Sequence, residues 1–394
     1  MKLADQIFKY FNNLNKVDQN NFGDDVMTPM ECVKKMIDYI PEEFWIRKNI
    51  SILDPCSGNG NFGAYCSLKT SMDNIHFNEI NLQRFNNCKN ILNPKEITNL
   101  DAFELFSGSR KYDLIMANPP YSGGGNKNKS ISNRFIEGAI DILNEEGYLC
   151  FITPNNWMSF NNKNTTLEKL LNNGEFLVID NDCKKFFPKI GSSFTILIWQ
   201  KTKSKKITKV FNNFLIKDYQ EVIIPKNIKF LPLYLNQQIL SIINKSVRQE
   251  RNNFKYRCDL HNFTKRDCLS DQKNNIYKYE TIHTARKTRY ATFKQDIYDK
   301  YLIIVPLSTY FLPYIKNNVN VTQSVGYIEF QQKAEAEKYL ENLNQSHIKV
   351  LVHLTRYGNF NNTKLLKHLN FNKNIIMNKE ETQIIKKLRS KINY

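Results

Sequence analysis

The sequence predicts an α/β protein, with a doubly wound parallel sheet in its first half and a second, mixed α+β domain after it. Three observations predict this arrangement. The apolar run at residues 50–53 leads directly into a glycine-rich turn that contains Gly58 and Gly60. Polar residues, among them Glu79 and Asn118, follow later apolar runs at the ends of predicted strands. The charge, in addition, is divided unequally between the two halves of the chain.

The length and charge of the chain predict two domains. It has 394 residues, 41% of them apolar, which is enough for two hydrophobic cores. Formal charge is −2 for residues 1–200 and +20 for residues 201–394. We therefore expect domains with these boundaries and a basic second domain that binds a polyanion. The polar, charged run at residues 201–206 is the predicted linker.

Composition also excludes several classes of protein. No run of about 18 uncharged apolar residues occurs, and the N-terminus lacks the basic-then-apolar order of a signal peptide. We therefore expect a cytoplasmic protein without membrane contact. The eight cysteines include no Cys-x-x-Cys pair, which argues against a disulfide framework or a zinc ribbon. Cys258, His261 and Cys268 lack a fourth ligand at ordinary spacing, so we predict no metal site.

The first elements of the sheet carry recognisable end signals. The order Thr28-Pro29-Met30-Glu31 predicts a capping box at the start of a helix that ends before Pro41. Residues 50–53 predict the first strand, and the glycines after it allow a nucleotide-like ligand to approach the backbone closely. Glu79 ends the next predicted strand, nineteen residues after Gly60, where such folds bind the two ribose hydroxyls.

The fourth predicted strand, residues 112–117, ends in Asn118-Pro119-Pro120-Tyr121. Two adjacent prolines cannot donate ladder hydrogen bonds, so the strand stops there and its carbonyls become accessible. An amide, a carbonyl and an aromatic ring then lie at the carboxyl edge of the sheet, where ligands bind in open α/β folds. This group suits a flat ring with an exocyclic amine. The amine would donate to the Asn118 oxygen and the Pro119 carbonyl, and Tyr121 would stack on the ring.

These segments resemble the S-adenosylmethionine-dependent N6-adenine DNA methyltransferases, over roughly residues 25–200. Residues 54–62 are similar to their cofactor loop, and residues 118–121 match their catalytic tetrapeptide. The resemblance implies a Rossmann-like doubly wound methyltransferase sheet and S-adenosylmethionine as cofactor. It implies cofactor contacts for Thr28, Asp54, Cys56, Gly58, Gly60, Phe62, Glu79, Asp101, Ala102 and Asn118. Among these, Thr28 would hold the methionine end, Glu79 the ribose, and Asp101 with Ala102 the adenine of the cofactor.

The resemblance also implies the catalytic group, which comprises Asn118, Pro119, Pro120, Tyr121 and Phe187. In the family, an aromatic residue from the segment at 186–194 covers the second face of the extruded base. Phe187 is the best match for it, and Phe186 and Phe194 remain alternatives.

The order of the motifs resembles the gamma class. The cofactor loop precedes the tetrapeptide by only about 60 residues, so recognition would lie in the C-terminal domain. The implied substrate is an adenine flipped out of double-stranded DNA. The enzyme would be solitary, or would be the modification half of a restriction–modification system with a cognate restriction endonuclease as partner.

Two other functions stay open at this point. The same tetrapeptide serves release-factor glutamine methyltransferases, so the substrate could instead be RNA adenine or a protein glutamine. Those glutamine enzymes carry a small helical domain before the catalytic one and no large basic tail, which counts against that alternative. A chain that had lost catalysis would be a nucleic-acid recognition subunit. The intact Asp54, Glu79 and Asn118 argue against such a loss.

Four further segments are candidates for nucleic-acid contacts. Residues 122–129 form a glycine-rich, dibasic segment that either closes on the DNA backbone or has no role. Residues 286–290 and 356–360 interleave cations with aromatic rings. Residues 380–391 predict a basic helix that either packs on the domain or lies along phosphates.

Overall fold

The chain forms two compact units in a computed structural model. The first comprises Met1–Met158, Asn164–Asn213 and Lys217–Lys229, and the second Ser159–Lys163, Phe214–Ile216 and Phe230–Tyr394. The first unit thus continues beyond residue 200, the boundary expected from the charge distribution. The residues described are 3–22, 27–121, 131–160, 164–188, 193–261, 264–308, 311–358, 360–371 and 374–392.

The first unit alternates helices and strands. Its helices are α1 (Leu3–Phe22), α2 (Met30–Asp38), α3 (Glu42–Trp45), α4 (Asn61–Cys66), α5 (Leu82–Leu92), α6 (Ala102–Phe106), α7 (Ser132–Asp141) and α8 (Thr165–Asn173). Its strands are β1 (Ile52–Asp54), β2 (Ile75–Asn78), β3 (Glu96–Thr98), β4 (Tyr112–Ala117), β5 (Leu143–Pro154), β6 (Glu175–Asp180), β7 (Phe194–Gln200), β8 (Thr208–Asn212) and β9 (Asp218–Val222).

These strands form one nine-stranded sheet in the order β3-β2-β1-β4-β5-β7-β6-β8-β9. The first five strands in this order are parallel, whereas β7 runs antiparallel to both β5 and β6. Strands β8 and β9 extend the sheet, which is why the unit continues past residue 200. The strand order reverses between β1 and β4, as in doubly wound folds. The predicted fold class is confirmed.

Burial explains why the central strands appear in the sequence as continuous apolar runs. Leu114, Ile115, Met116 and Ala117 of β4 are all fully buried, as expected for a parallel strand covered on both faces. Helix α2 buries one apolar side against the same core. Burial in one core therefore explains both sequence patterns: apolar residues recur with a period of 3.6 in the helix and without interruption in the strands.

The capping box predicted at Thr28 does not form. Helix α2 begins after Pro29, and no side chain of its own segment caps it. Instead, Asn12 of α1 accepts a hydrogen bond from the Met30 backbone N–H at 3.3 Å and donates to Glu31 at 3.2 Å. A side chain eighteen residues away thus satisfies the helix start. The Thr28 hydroxyl is consequently available for a different partner, described below.

The second unit combines two small sheets with helices. Its strands are β10 (Lys255–Tyr256), β11 (Leu269–Ser270), β12 (Tyr279–Thr284), β13 (Lys287–Ala291), β14 (Tyr301–Pro306), β15 (Tyr314–Lys316), β16 (Asn320–Val321) and β17 (Val325–Phe330). They pair in the orders β10-β17-β14-β15 and β11-β13-β12-β16. The helices are α9 (Gln237–Ser246), α10 (Lys333–Leu343), α11 (Ser346–Leu354), α12 (Thr363–Leu366) and α13 (Lys379–Arg389). The mixed α+β prediction is confirmed.

The basic C-terminal helix α13 packs on the second unit. Its side chains Ile385 and Leu388 are buried in the core of that unit. Glu381, only 1% exposed, forms a capping box with Asn378 and an ion pair of 2.6 Å with Lys245 of α9. Of the two predictions made for this helix, packing on the domain is therefore the one the structure shows.

No helix in the described part of the chain is both long and apolar enough to cross a membrane.

Candidate active site

The candidate site lies at the carboxyl ends of β1 and β4, where the strand order reverses. Strand β1 pairs with β2 on one side and with β4 on the other, so the loops after these two strands diverge. This divergence leaves the crevice in which open α/β sheets bind ligands. The loop after β1 leads through Gly58 and Gly60 to α4, and β4 ends at Ala117, immediately before Asn118.

The glycine turn after β1 needs glycine for two physical reasons. Gly58 and Gly60 have φ of 56° and 94°, in the left-handed region that favours glycine. A Cβ atom at Gly60 would also lie 2.4 Å from the Leu92 Cδ1 atom and 3.1 Å from the Cys88 sulfur. Helix α5 therefore packs directly against this turn and fixes its path.

Glu79 holds the turn in place. One of its carboxylate oxygens accepts a hydrogen bond from the Gly58 N–H at 2.8 Å, and the other accepts from the Asn81 N–H, also at 2.8 Å. The side chain is 6% exposed. The ribose hydroxyls expected at Glu79 from the sequence would be further donors to this carboxylate. Glu79 thus fixes the glycine turn through the Gly58 N–H and lies next to the predicted cofactor site.

Asp54 provides a buried carboxylate below the turn. Its Oδ1 atom accepts from the Cys56 N–H at 3.3 Å, and its Oδ2 atom has no hydrogen-bond partner among the described residues. Burial, with the nearby charge of Glu79, raises the pKa of Asp54 well above its usual value. A cationic ligand group would favour the ionised form and satisfy the unpartnered oxygen. The ammonium of S-adenosylmethionine is such a group, so these residues fit that cofactor.

The other residues predicted to contact the cofactor differ in solvent exposure. Cys56 is half-buried, and burial raises the pKa of its thiol. Phe62 is 3% exposed and belongs to the core of the first unit. Asp101 is exposed and caps α6 by accepting from the Phe103 N–H at 3.0 Å, while Ala102 behind it is buried.

Thr28 joins the glycine turn to the tetrapeptide. Its backbone carbonyl accepts from the Asn61 side chain at 2.8 Å, and its hydroxyl accepts from the Asn118 amide nitrogen at 3.0 Å. The Asn118 oxygen accepts from the Tyr121 hydroxyl at 2.5 Å. Both ends of the Asn118 amide are therefore held. Thr28, which precedes α2, connects this predicted catalytic residue to Asn61 at the start of α4.

The aromatic residues predicted to cover the base form a chain of rings. The Tyr121 and Phe194 ring centres are 5.1 Å apart, and those of Phe194 and Phe187 are 5.5 Å apart. Phe187 and Phe194 are both buried, and burial raises the pKa of Tyr121. Phe186 is half-buried and lies under the ammonium of Lys35 at 6.0 Å. Pro119 is buried and Pro120 exposed, at the base of this group.

Several asparagines of this site have no sequence signal. Asn61 contacts Thr28, as described, and Asn78 donates to the Pro55 and Leu100 carbonyls at 3.1 and 3.0 Å. Asn99 donates to the Glu79 carbonyl at 2.6 Å. These amides tie the ends of β1, β2 and β3 together. Asparagine is abundant throughout the chain, so its composition does not distinguish Asn78 and Asn99, whereas Asn61 lies within the segment 54–62 that resembles a cofactor loop.

The glycine-rich segment 122–129, which directly follows Tyr121, lies outside the described residues. Among the residues that are described, no group of three His, Cys, Asp or Glu side chains is arranged to hold a metal ion.

The sheet has the strand order of a doubly wound fold, and the candidate site lies where that order reverses. Methyltransferases that use a sulfonium cofactor have this arrangement. The family described as Eco57I restriction-modification methylase matches residues 43–187. This segment contains β1, the glycine turn, Glu79 and the tetrapeptide. The match supports a methyltransferase of the restriction–modification type, and S-adenosylmethionine is the cofactor it supports.

A curated relative agrees with this match. The chain is 28% identical over 206 residues to the Type II methyltransferase M.HincII of Haemophilus influenzae. This alignment covers 46% of the chain and 38% of M.HincII. The alignment thus spans less than half the length of the relative.

Solved structures share the fold across both units. A nuclease-deletion mutant of the Type ISP restriction-modification enzyme LlaGI, in complex with a DNA substrate mimic, superposes with a TM-score of 0.60 at 14% identity. That similarity covers 98% of this chain and 56% of the other. The DrdV–DNA complex gives a TM-score of 0.52 at 13% identity, with 98% and 59% covered. At these identities the similarity concerns the fold alone.

Proposed function

We propose that the protein is a site-specific DNA adenine N6-methyltransferase of a restriction–modification system. It would transfer a methyl group from S-adenosylmethionine to an adenine flipped out of duplex DNA. The observation that carries this proposal is the hydrogen-bonded link from Asn61 through Thr28 to Asn118 and Tyr121, because it holds a cofactor-type turn next to an amine-accepting group. The tetrapeptide that supplies this group fits adenine through its amide, carbonyl and ring.

The chemistry would depend on positioning rather than on a strong base. The lone pair of the adenine amine is delocalised into the purine ring, so the amine is a weak nucleophile. Hydrogen bonds to the Asn118 oxygen and the Pro119 carbonyl would draw the amine toward tetrahedral geometry and stabilise the positive charge that develops on nitrogen. To accept from the amine, the Asn118 oxygen would share or exchange the Tyr121 hydroxyl that it accepts from in this structure.

Aromatic stacking would hold the flipped base. Tyr121 would cover one face, and Phe187 would cover the other, with Phe194 as the ring between them in the present arrangement. Stacking contributes about 1–3 kcal/mol per base, comparable to the cost of unstacking an adenine from the duplex. S-adenosylmethionine supplies the methyl group. Asp54 and Glu79 would hold its cationic and ribose parts.

The second unit would recognise the DNA. Its high positive charge supports this role, and a C-terminal recognition domain corresponds to the gamma-class order of motifs. The cluster at 286–290 is partly neutralised, since Lys287 and Arg289 both pair with Asp271 at 2.8 Å. In the cluster at 356–360, the Tyr357 hydroxyl donates to the Leu231 carbonyl at 2.6 Å, whereas Phe360 is 69% exposed. A cognate restriction endonuclease is part of the proposal.

Methyl transfer by the full chain tests the proposal. The protein would be incubated with DNA and S-adenosylmethionine, and the nucleosides analysed by mass spectrometry. We expect N6-methyladenine from the natural chain and from Asn173→Ala, an exposed asparagine at the end of α8, but none from Asn118→Ala. Calorimetry should show that Asn118→Ala still binds the cofactor.

Three results would contradict the proposal. Methyl incorporation into RNA or a glutamine peptide, but not into DNA, would move the activity to another substrate. Failure of the natural chain to bind the cofactor would indicate a recognition subunit. Equal loss of cofactor binding and turnover in Asn118→Ala would remove the assigned catalytic role of this residue.

A further inference from the structure

The second unit contains a cavity that the proposed methyl transfer does not use. Its volume is about 340 Å³, and it lies between the N-terminus of α11 and one side of α13, from Thr382 to Arg389. Its polar lining consists of Ser346, His347, Thr382, Lys386 and Arg389. No aspartate or glutamate belongs to the lining among the described residues. Two cations and two hydroxyls therefore surround a space without a counter-charge.

The start of α11 adds donors to this cavity. Its N-cap residue, Gln345, makes no capping hydrogen bond with its side chain, which donates instead to Asn342 at 2.9 Å. The first N–H groups of a helix lack partners within the helix, and the macrodipole places partial positive charge there. Ser346 and His347, the first two residues of α11, line the cavity at this end.

The buried imidazole of His347 also indicates that this cavity holds a ligand. It is 5% exposed, and its Nε2 atom has no hydrogen-bond partner among the described residues. Burial lowers the pKa of His347 to about 4, so near neutral pH the imidazole carries no charge and can donate one N–H. A buried polar atom without a partner is destabilising, and a ligand oxygen would relieve this cost.

Nearby cations indicate that this ligand is an anion. The pKa of Lys349, on α11, is lowered by burial and by the charge of Arg389. Lys349 and Arg389, both half-buried, thus repel each other, and an anion bound near Arg389 would offset their repulsion. Ser346 offers a hydroxyl donor, a group that often contacts phosphate, whereas the Thr382 hydroxyl donates to the Asn378 carbonyl at 2.8 Å and could only accept. Met377 and Ile385 line the remainder and would contact an uncharged part of a larger ligand.

We propose that this cavity binds a phosphate group. The phosphate would accept from the α11 N-terminus, from His347 and from Lys386 and Arg389. It could belong to a DNA backbone or to a free phosphorylated molecule, and both sources share this recognition chemistry. The proposal does not depend on methyl transfer, since the cavity and the candidate active site belong to different units.

The test compares charge removal inside and outside the cavity on the same helix. Lys386→Gln and the double variant Lys386→Gln with Arg389→Gln remove cavity cations. Lys387→Gln makes the same charge change at an exposed neighbour outside the lining. Calorimetry with inorganic phosphate, at constant ionic strength, should show one binding site in the natural chain and in Lys387→Gln. The double variant should bind at least about tenfold more weakly, the loss expected for charge-assisted hydrogen bonds.

DNA then distinguishes the two sources. If a DNA phosphate fills the cavity, duplex DNA displaces inorganic phosphate, and the double variant binds DNA more weakly than Lys387→Gln does. If a free phosphorylated molecule fills it, phosphate and DNA bind together and the variants have equal DNA affinity. The proposal is overturned if the natural chain does not bind phosphate, or if Lys387→Gln weakens phosphate binding as much as the double variant does. Lys386 is exposed, so its single variant keeps the test valid if the double variant fails to fold.

Discussion

Replacing Thr28 by valine should slow methyl transfer without unfolding the site. Valine keeps the volume of the side chain but removes the hydroxyl that accepts from the Asn118 amide nitrogen at 3.0 Å. The backbone carbonyl of residue 28 still accepts from Asn61, so the start of α2 keeps its anchor. The change therefore isolates the orientation of one amide.

The expected size follows from the energy of that hydrogen bond. A typical intramolecular hydrogen bond contributes about 0.5–1.5 kcal/mol net. If this amount favours the amide orientation that points the Asn118 oxygen at the amine, its loss lowers kcat by about 2- to 13-fold. Tyr121 still donates to the same oxygen and limits the loss. The KM for DNA should change less than kcat, because the base retains its stacking partners.

The assay is methyl transfer to DNA at saturating cofactor, with kcat and KM measured separately. Thr28→Ser keeps a hydroxyl and should restore most of the rate. Thr208→Val, a buried threonine of β8 whose hydroxyl donates to the Phe176 carbonyl at 3.0 Å, controls for the general cost of this substitution in the same unit. The reasoning is refuted if Thr28→Val has the natural kcat, or if Thr28→Ser is as slow as Thr28→Val.

Three other changes test the site and the second unit. Gly60→Ala should lower the free energy of unfolding by about 1–3 kcal/mol in chemical denaturation. Gly358→Ala should not, because among the described residues no atom beyond its chain neighbours lies within 4 Å of the added Cβ; equal effects would contradict the packing argument. Glu79→Gln places an amide beside two backbone donors, so calorimetry should show cofactor affinity about tenfold lower, and an unchanged affinity would exclude the assigned contact. The pKa of His347 is about 4 in the fold and about 6.5 when unfolded, so its contribution to stability is complete above pH 6.5 and is lost as pH falls toward 4. Thermal unfolding should show this loss over pH 6.5–4, weaker in His347→Gln than in the natural chain, and identical pH profiles for the two proteins would be evidence against it.

Structural features that depend on residues close together in the sequence were predictable. Strand β4 appears as an apolar run because both its faces are buried, and its end is marked by Pro119 and Pro120, which cannot extend a ladder. The glycine turn after β1 was predictable for the same reason, since φ above zero at Gly58 and Gly60 is a local requirement. The parallel part of the first unit, from β1 to β5, could therefore be predicted, whereas its extension by β8 and β9 beyond residue 200 was not.

Contacts between distant residues were not predictable. The sequence assigned the Thr28 hydroxyl to a capping box, because that partner is three residues away. In the structure, Asn12 satisfies the helix start and the hydroxyl binds Asn118, ninety residues along the chain. Likewise, no local pattern shows that Asp271 neutralises Lys287 and Arg289. The sequence can count charges, but pairing depends on tertiary structure.

The position of Thr28 couples the two halves of the proposed reaction. Its carbonyl contacts Asn61, in the first turn of α4 after the cofactor loop, and its hydroxyl contacts Asn118, the proposed amine acceptor. A shift at the start of α2 would therefore move the methyl donor and the acceptor relative to each other. Methyl transfer needs an in-line approach, and small misplacements cost large factors in rate. Since Asn12 of α1 also binds this helix start, we predict that changes in α1 alter the rate of the proposed reaction, although α1 lies outside the matched segment 43–187.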